Sequence, residues 1–376
     1  MRDSPHSARA AHEFNLSLNG YRGLCALFIF IYHLGSAGVL AMPEGSPSVQ
    51  AATYVWSSFR YGVEMFFMIS GFVILGSAQR HASAAGFLKD RFIRIYSAWI
   101  PALLTVTIVC AALGMKAFEG IGPWQGVALF VANALLLPPI APLPMIHLAS
   151  WSLTYEWVFY LCVAALLAIG THSAARAWAK IGTLAAAAIF ICLFPRSFFF
   201  VTGVLVYLHR DWFAEHRRWL KFPLASLLIF MLAWRFTDID KAHLHTTLFE
   251  WLTDARGWAL LAAFLASLHF FSSITLDTTR ETAFLRGRTF QFLGTISYSF
   301  YLWHALVMSL TKRIAAAFVT PAWGEVTGFV FFAISSLAIA IVVSWLSWRL
   351  FETTLARWMR RAMTPAWTLR GALRAT

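Results

Sequence analysis

Apolar runs of helix-spanning length recur along the whole chain, at about 20–41, 60–79, 93–113, 151–169, 178–194, 197–209, 222–236, 255–273, 291–310 and 326–350. Short polar or basic stretches separate them. One helical crossing of a bilayer takes about 20 mostly apolar residues, and backbone in lipid must satisfy its own hydrogen bonds, so the pattern predicts helices throughout. The 197–209 run is short, but its aromatic residues and a tilt extend it. A further run at 126–138, ending at Pro138-Pro139, has only about 13 residues and is too short to cross; it reads as re-entrant or interfacial.

Loop charge then orients the runs. Arg2 and Arg9 place the N-terminus in the cytoplasm. Loop 42–59, without Lys or Arg before Arg60, falls outside, and the next loop, with Arg80, Lys89, Arg91 and Arg94, falls inside. If 126–138 does not cross, Arg210, Arg217, Arg218 and Lys221 are also inside. So are Arg280, Arg286 and Arg288, and the tail with Arg357, Arg360, Arg361, Arg370 and Arg374. Asp238, Asp240, Glu250 and Asp254 are outside. A crossing at 126–138 would misplace every later basic loop. The expected fold is an all-α integral membrane protein of about ten transmembrane helices plus one short re-entrant or interfacial helix, with both termini cytoplasmic. The expected organisation is a cytoplasmic tail (1–19), one transmembrane domain (20–356) and a basic cytoplasmic tail (357–376).

Composition agrees. Hydrophobic residues make up 59% and charged residues 12% of 376 positions, and mean hydropathy is +0.66; a soluble domain is nearer a quarter charged. The net charge of +13 sits in loops, as topology signals and contacts to anionic lipid, and no nucleic-acid partner is expected. Cys25, Cys110, Cys162 and Cys192 lie in apolar runs without CxxC spacing; they read as buried, reduced hydrophobes, and no metal is expected. The first run, Gly23–Leu40, has no small-x-small cleavage site and reads as a signal-anchor.

Against this background the ionisable residues inside or at the ends of spans stand out, because charge at membrane depth is costly and commonly marks a pathway or a site. In LNGYRGLCALFIFIYHLG, Arg22 and His33 are eleven residues apart, which returns to nearly the same helix face ~16 Å along the axis. Arg22 alone reads equally as a cation snorkelling to lipid phosphate; His33 then points from mid-bilayer. Glu64 lies in YGVEMFFMISGF near an outer end, where it could also be an idle interfacial carboxylate, and Ser70-Gly71 reads as a close helix contact. LKDRFIRIYSAWIP sets Arg91 and Arg94 on one face at a cytoplasmic helix start, suited to a phosphate or pyrophosphate. ASWSLTYEWVFY puts Ser152 and Glu156 one turn apart toward the outside. GTISYSFYLWHALV carries Tyr301 and His304, the latter equally readable as a structural, Tyr-bonded histidine. Together they suggest a phosphorylated donor loaded from within and an acceptor reached from without.

At these residues the chain resembles the acyltransferase-3 family of bacterial membrane O-acyltransferases. The matching elements are the Arg22–ten residues–His33 spacing, GVEMFFMISGF, the Arg91/Arg94 pair, SWSLTYEW around Glu156, ISYSFYLWH, and RLFETTLAR with Glu352. They run in order over about residues 16–356. The resemblance implies ten membrane helices in a bacterial inner membrane, acyl-CoA (often acetyl-CoA) as donor, and a sugar or glycan hydroxyl as acceptor. It implies that Arg22 and His33 are a central catalytic pair, His33 deprotonating the acceptor or assisting acyl passage, and that Arg22, Arg91 and Arg94 hold the CoA phosphates. Glu156 would orient a histidine or bind the acceptor, with Glu64, Ser152, Tyr301 and His304 in support. The family often has proline after an RIY-like triplet; here Ser97 follows Tyr96 and the proline waits until Pro101.

The absence of a Gly-x-Ser-x-Gly elbow leaves an acyl-serine route without support. The competing reading is a transporter or flippase using the same buried residues as a pathway, although no inverted repeat or pair of broken helices is visible. Another membrane O-acyltransferase class, dependent on one buried histidine, would use His304 and leave the Arg22–His33 pair idle.

Overall fold

The computed structural model describes residues 15–39, 47–113, 118, 120–170, 174–237 and 257–363. The tail arginines Arg2, Arg9, Arg370 and Arg374, and the acidic loop with Asp238, Asp240, Glu250 and Asp254, lie outside them. Among the described residues every regular element is helical: α1 Leu16–Ser36, α2 Pro47–Ser58, α3 Gly62–Ala78, α4 Ala84–Ala112, α5 Pro123–Ala134, α6 Ser150–Ile169, α7 Ala174–Leu193, α8 Phe199–Leu208, α9 Arg210–Glu215, α10 Pro223–Phe236, α11 Gly257–Leu276, α12 Arg288–Ile314, α13 Thr320–Ser347 and α14 Ala356–Ala362.

By length and composition six helical stretches are apolar enough to cross a membrane. One of them, Arg288–Ala362, holds both α12 and α13, which double back across Gly324 (φ 82°) and pack side by side. Helix α1 falls short of that hydropathy because it carries Asn19, Arg22 and His33, yet it is packed in the centre of the bundle. At 12 residues, α5 is ~18 Å long, too short to cross. The segment after it turns back into the protein. Asn133 Nδ2 donates to the Pro144 carbonyl (3.0 Å) and its Oδ1 accepts from the Ile146 N–H (3.0 Å), which ties the segment closed. His147 then packs edge-on against Trp99 near the middle of α4, and α6 begins at fully buried Ser150.

Helix α4 starts well before the apolar run predicts. The Ser83 side chain accepts from the Gly86 N–H (3.1 Å) and caps it, so Arg91 and Arg94 lie two to three turns inside a helix rather than at its start. The helix continues through Ser97 and Pro101 to Ala112.

Helices α1 and α12 form the most extensive pair and run parallel. Asn19 meets Gln291 through side-chain hydrogen bonds (3.0 and 3.1 Å), Gly23 meets Gly294, and His33 meets His304. A Cβ on Gly294 would sit 2.0 Å from the Asn19 carbonyl oxygen, so only glycine permits this approach. The α3–α8 pair is held the same way: a Cβ on Gly71 would lie 2.2 Å from the Phe200 carbonyl oxygen, bearing out the close contact expected at Ser70-Gly71.

Candidate active site

Toward the N-terminal end of α1, five helices line a cavity of about 150 Å³. Helix α1 supplies Arg22, α4 supplies Arg91 and Arg94, α6 supplies Ser152 and Glu156, and α12 supplies Tyr298 and Tyr301; α3 closes it with Phe66, Phe67 and Ser70. Six of the residues singled out in the sequence therefore meet at one place. The carboxylate was expected toward the opposite side from the arginines. Because α6 begins deep in the protein, Glu156 is instead brought level with them.

The three arginines are held differently. Arg94 Nη1 donates to Glu352 Oε2 (2.6 Å), and its guanidinium lies over the Tyr298 ring. Glu352 Oε1 accepts from the Ser299 N–H (3.1 Å) and hydroxyl (2.6 Å), so its charge is neutralised and its lone pairs are used. Glu352 is delivered by a π-helical stretch, Trp348–Leu355, that follows α13. Arg22 forms no hydrogen bond or ion pair among the described residues, and the Nε of Arg91 is buried without a partner. The Arg91 Nε is thus a buried donor without a partner, and the guanidinium of half-buried Arg22 lines the same cavity. Buried, charged donors left unpaired are expensive, and an anionic ligand group such as a phosphate removes that cost. A cavity of this size takes a phosphate-bearing part of a donor molecule rather than all of it.

Glu156 Oε1 accepts from the Ser70 hydroxyl (2.9 Å) and from the Tyr160 hydroxyl. It touches neither His33 nor His304; of the two roles implied for it, orienting a histidine has no contact to stand on. Ser152 Oγ and Tyr301 OH are 2.7 Å apart.

Tyr301 is also the way out of the cavity. Its ring stacks on His304 at 6.0 Å between centroids, and His304 faces His33 at 5.3 Å. His33 in turn lies 4.9 Å from the Tyr32 ring. The imidazoles thus stand beyond the arginine cavity, toward the C-terminal end of α1. His33 occupies the last turn of its helix, farther along than the mid-bilayer position its spacing suggested, because α1 ends at Ser36. His304 Nδ1 donates to the Phe300 carbonyl (3.0 Å), which fixes the proton on Nδ1. Its Nε2, a bare lone pair, is buried without a donor.

Glu64 lies apart from both groups. It is fully buried, and its Oε1 accepts from Arg196 Nε (2.6 Å) and more weakly from the Trp234 indole (3.4 Å). Arg196 also covers the Trp151 ring, 4.2 Å from its centroid. This is a structural ion pair joining α3 to the corner before α8, not a lone interfacial carboxylate. Arg196 and Tyr160 were not singled out in the sequence, Ser70 was read only as a helix contact, and Glu352 was named only within the closing segment of the resemblance. A fully buried Glu64 demands a cation, and Arg196, on the corner opening a short span, was the available signal.

Among the described residues no His, Cys, Asp and Glu cluster could hold a metal ion. The family model described as "Acyltransferase domain" matches residues 15–345. The chain is similar to "Acyltransferase MdmB" from Streptomyces mycarofaciens, 26% identical over 369 residues, covering 92% of each chain. No solved structure matches it.

Proposed function

The chain belongs to this acyltransferase family, and on that premise we propose that it moves an acyl group, acetyl in the simplest case, from cytoplasmic acyl-CoA to a hydroxyl of an envelope or exported glycan. The observation that carries the reading is the pairing, on the parallel helices α1 and α12, of an arginine-lined cavity with an unpaired Arg91 Nε and a facing pair of histidines. Arg22 and Arg91 bind CoA phosphates, with Arg94 held ready by Glu352. The pantetheine arm runs past Ser152 and Tyr301 and bridges the ~16 Å between Arg22 and His33, bringing the thioester to the imidazoles.

His33 takes the proton of the acceptor hydroxyl as its oxygen attacks the thioester carbonyl. The new C–O bond forms, the C–S bond breaks, and the proton passes from His33 to the departing CoA thiolate. His304 positions His33: its unpartnered Nε2 receives the N–H on the far side of the His33 ring, setting the tautomer and steadying the imidazolium. Ser152 and Tyr301, hydroxyl donors beside the arm, stabilise the developing oxyanion.

Sidedness follows from topology. The parallel run of α1 and α12 calls for an odd number of crossings between them. The seven intervening spans read from the sequence, with α5 left uncrossed, supply it. With the N-terminus in the cytoplasm, as the loop charges suggest, the arginine cavity lies near the cytoplasmic face and the C-terminal end of α1 near the other, in a multi-pass protein of the bacterial inner membrane.

His33→Ala tests the reading. The variant should insert normally in membranes and bind acyl-CoA, yet lose transfer by roughly 10²-fold or more, the usual worth of a general base. Near-normal turnover would sink the proposal.

A further inference from the structure

Just beyond the histidines, at the C-terminal end of α1, lies a second cavity of about 130 Å³. Tyr32, Gly35 and Ser36 of α1, Trp56 and Ser57 of α2, and Phe329 of α13 form its main walls. Three features distinguish it from the arginine cavity. No charged side chain lines it; Arg235, which donates to Ser57 from outside the lining, is also engaged by the Tyr54 carbonyl and ring. One wall is aromatic, with the Trp56 and Phe329 rings in tilted contact at 6.3 Å between centroids. The Trp56 indole N–H is buried and has no acceptor among the described residues. The Trp99 and Trp303 indoles are also buried without an acceptor, but of the three only Trp56 lines this cavity, where a ligand oxygen would satisfy it.

We propose that this cavity is the acceptor subsite and takes one neutral, hydroxylated ring, a single uncharged sugar residue at the end of the acceptor. The proposal rests on the acyl-transfer reading above. A cavity of about 150 Å³ accommodates one benzene-sized ring, so the subsite grips one residue while the rest of a glycan stays outside. The aromatic wall packs on one apolar face of the ring and the Trp56 N–H donates to a ring or hydroxyl oxygen. Tyr32 lines this cavity and its ring lies 4.9 Å from that of His33, its chain neighbour, so the bound ring sits next to the imidazole pair. A phosphorylated or carboxylated sugar finds no cation in the lining and is rejected.

Gly35 shapes the site. A Cβ there would sit 1.8 Å from Trp56 Nε1, so Gly35→Ala must displace the indole. The test uses purified protein in proteoliposomes with acetyl-CoA and a panel of neutral methyl hexopyranosides, with glucose 6-phosphate as the charged control. Ester formation is read by mass spectrometry and CoA release by thiol titration. Trp56→Phe keeps the ring and removes the N–H. It should raise KM for the neutral glycoside about tenfold, the worth of one hydrogen bond, with KM for acetyl-CoA unchanged; Gly35→Ala should do the same. Unchanged acceptor KM in both variants, or equal use of glucose 6-phosphate, overturns the subsite. Wild-type consumption of acetyl-CoA without ester on any neutral glycoside also overturns it, while leaving donor chemistry standing. Failure to consume acetyl-CoA at all counts instead against the acyl-transfer reading, and the subsite falls with it.

Discussion

His304 has one nitrogen committed to the Phe300 carbonyl and the other bare, and that asymmetry separates an orienting role from a packing role. Phenylalanine at this position keeps the ring stacked on Tyr301 and Phe300 but offers no acceptor; glutamine loses the ring and keeps an acceptor. If His304 receives the His33 N–H, His304→Gln retains measurable kcat and His304→Phe falls roughly 10²-fold, with KM for acyl-CoA unchanged in both. A packing role reverses the order, and steady-state kinetics decide. Arg91→Ala removes an unpaired donor and should raise KM for acyl-CoA about tenfold or more with kcat little changed, which a donor titration measures. Arg196→Ala acts elsewhere. It strands a fully buried Glu64 and should cost about 3–5 kcal/mol of stability, read as a lowered thermal midpoint in detergent. The ionisable residues themselves were legible because each interrupts an apolar run. Their partners were not: Glu352 reaches Arg94 across 258 positions and Arg196 reaches Glu64 across 132, distances bridged by packing that no local pattern encodes.

At the level of elements, the parallel α1–α12 pair holds the imidazoles face to face, and it depends on small residues at the crossing. Gly294→Val puts side-chain atoms where the Asn19 backbone now lies. It should cost about 1–3 kcal/mol and, by spreading the helices, lower turnover even where the protein still folds; thermal unfolding and activity in the same detergent check both. Hydropathy located most helices, since lipid selects long apolar runs. It failed at the ends. The first turns of α4 are polar, so a span drawn from 93 missed the Ser83 cap and the burial of Arg91 and Arg94 within the helix. Re-entry of the segment after α5 rests on the side chain of Asn133. The short length of 126–138 announced that it does not cross, but not that it lets α6 begin inside the protein and carry Glu156 to the arginines.

Taken whole, the molecule places an arginine-lined cavity and an uncharged, aromatic cavity toward opposite ends of α1, with Tyr301, His304, His33 and Tyr32 forming the column between them. Charge sorting along the loops suggested a donor from one side and an acceptor from the other, and that much is readable from where Lys and Arg fall. The second cavity was hidden in the sequence, because its walls are ordinary aromatic and small residues whose meeting depends on α2 folding over the end of α1. The central claim is that acyl passage from CoA to a hydroxyl runs through His33. Purified wild-type and His33→Ala proteins in proteoliposomes, given acetyl-CoA and neutral methyl hexopyranosides, test it most directly. Wild type is predicted to release CoA with matching acetyl ester on a glycoside, and His33→Ala to bind acetyl-CoA equally well while forming ester at least about 10²-fold more slowly; equal rates of ester formation by the two proteins would contradict it.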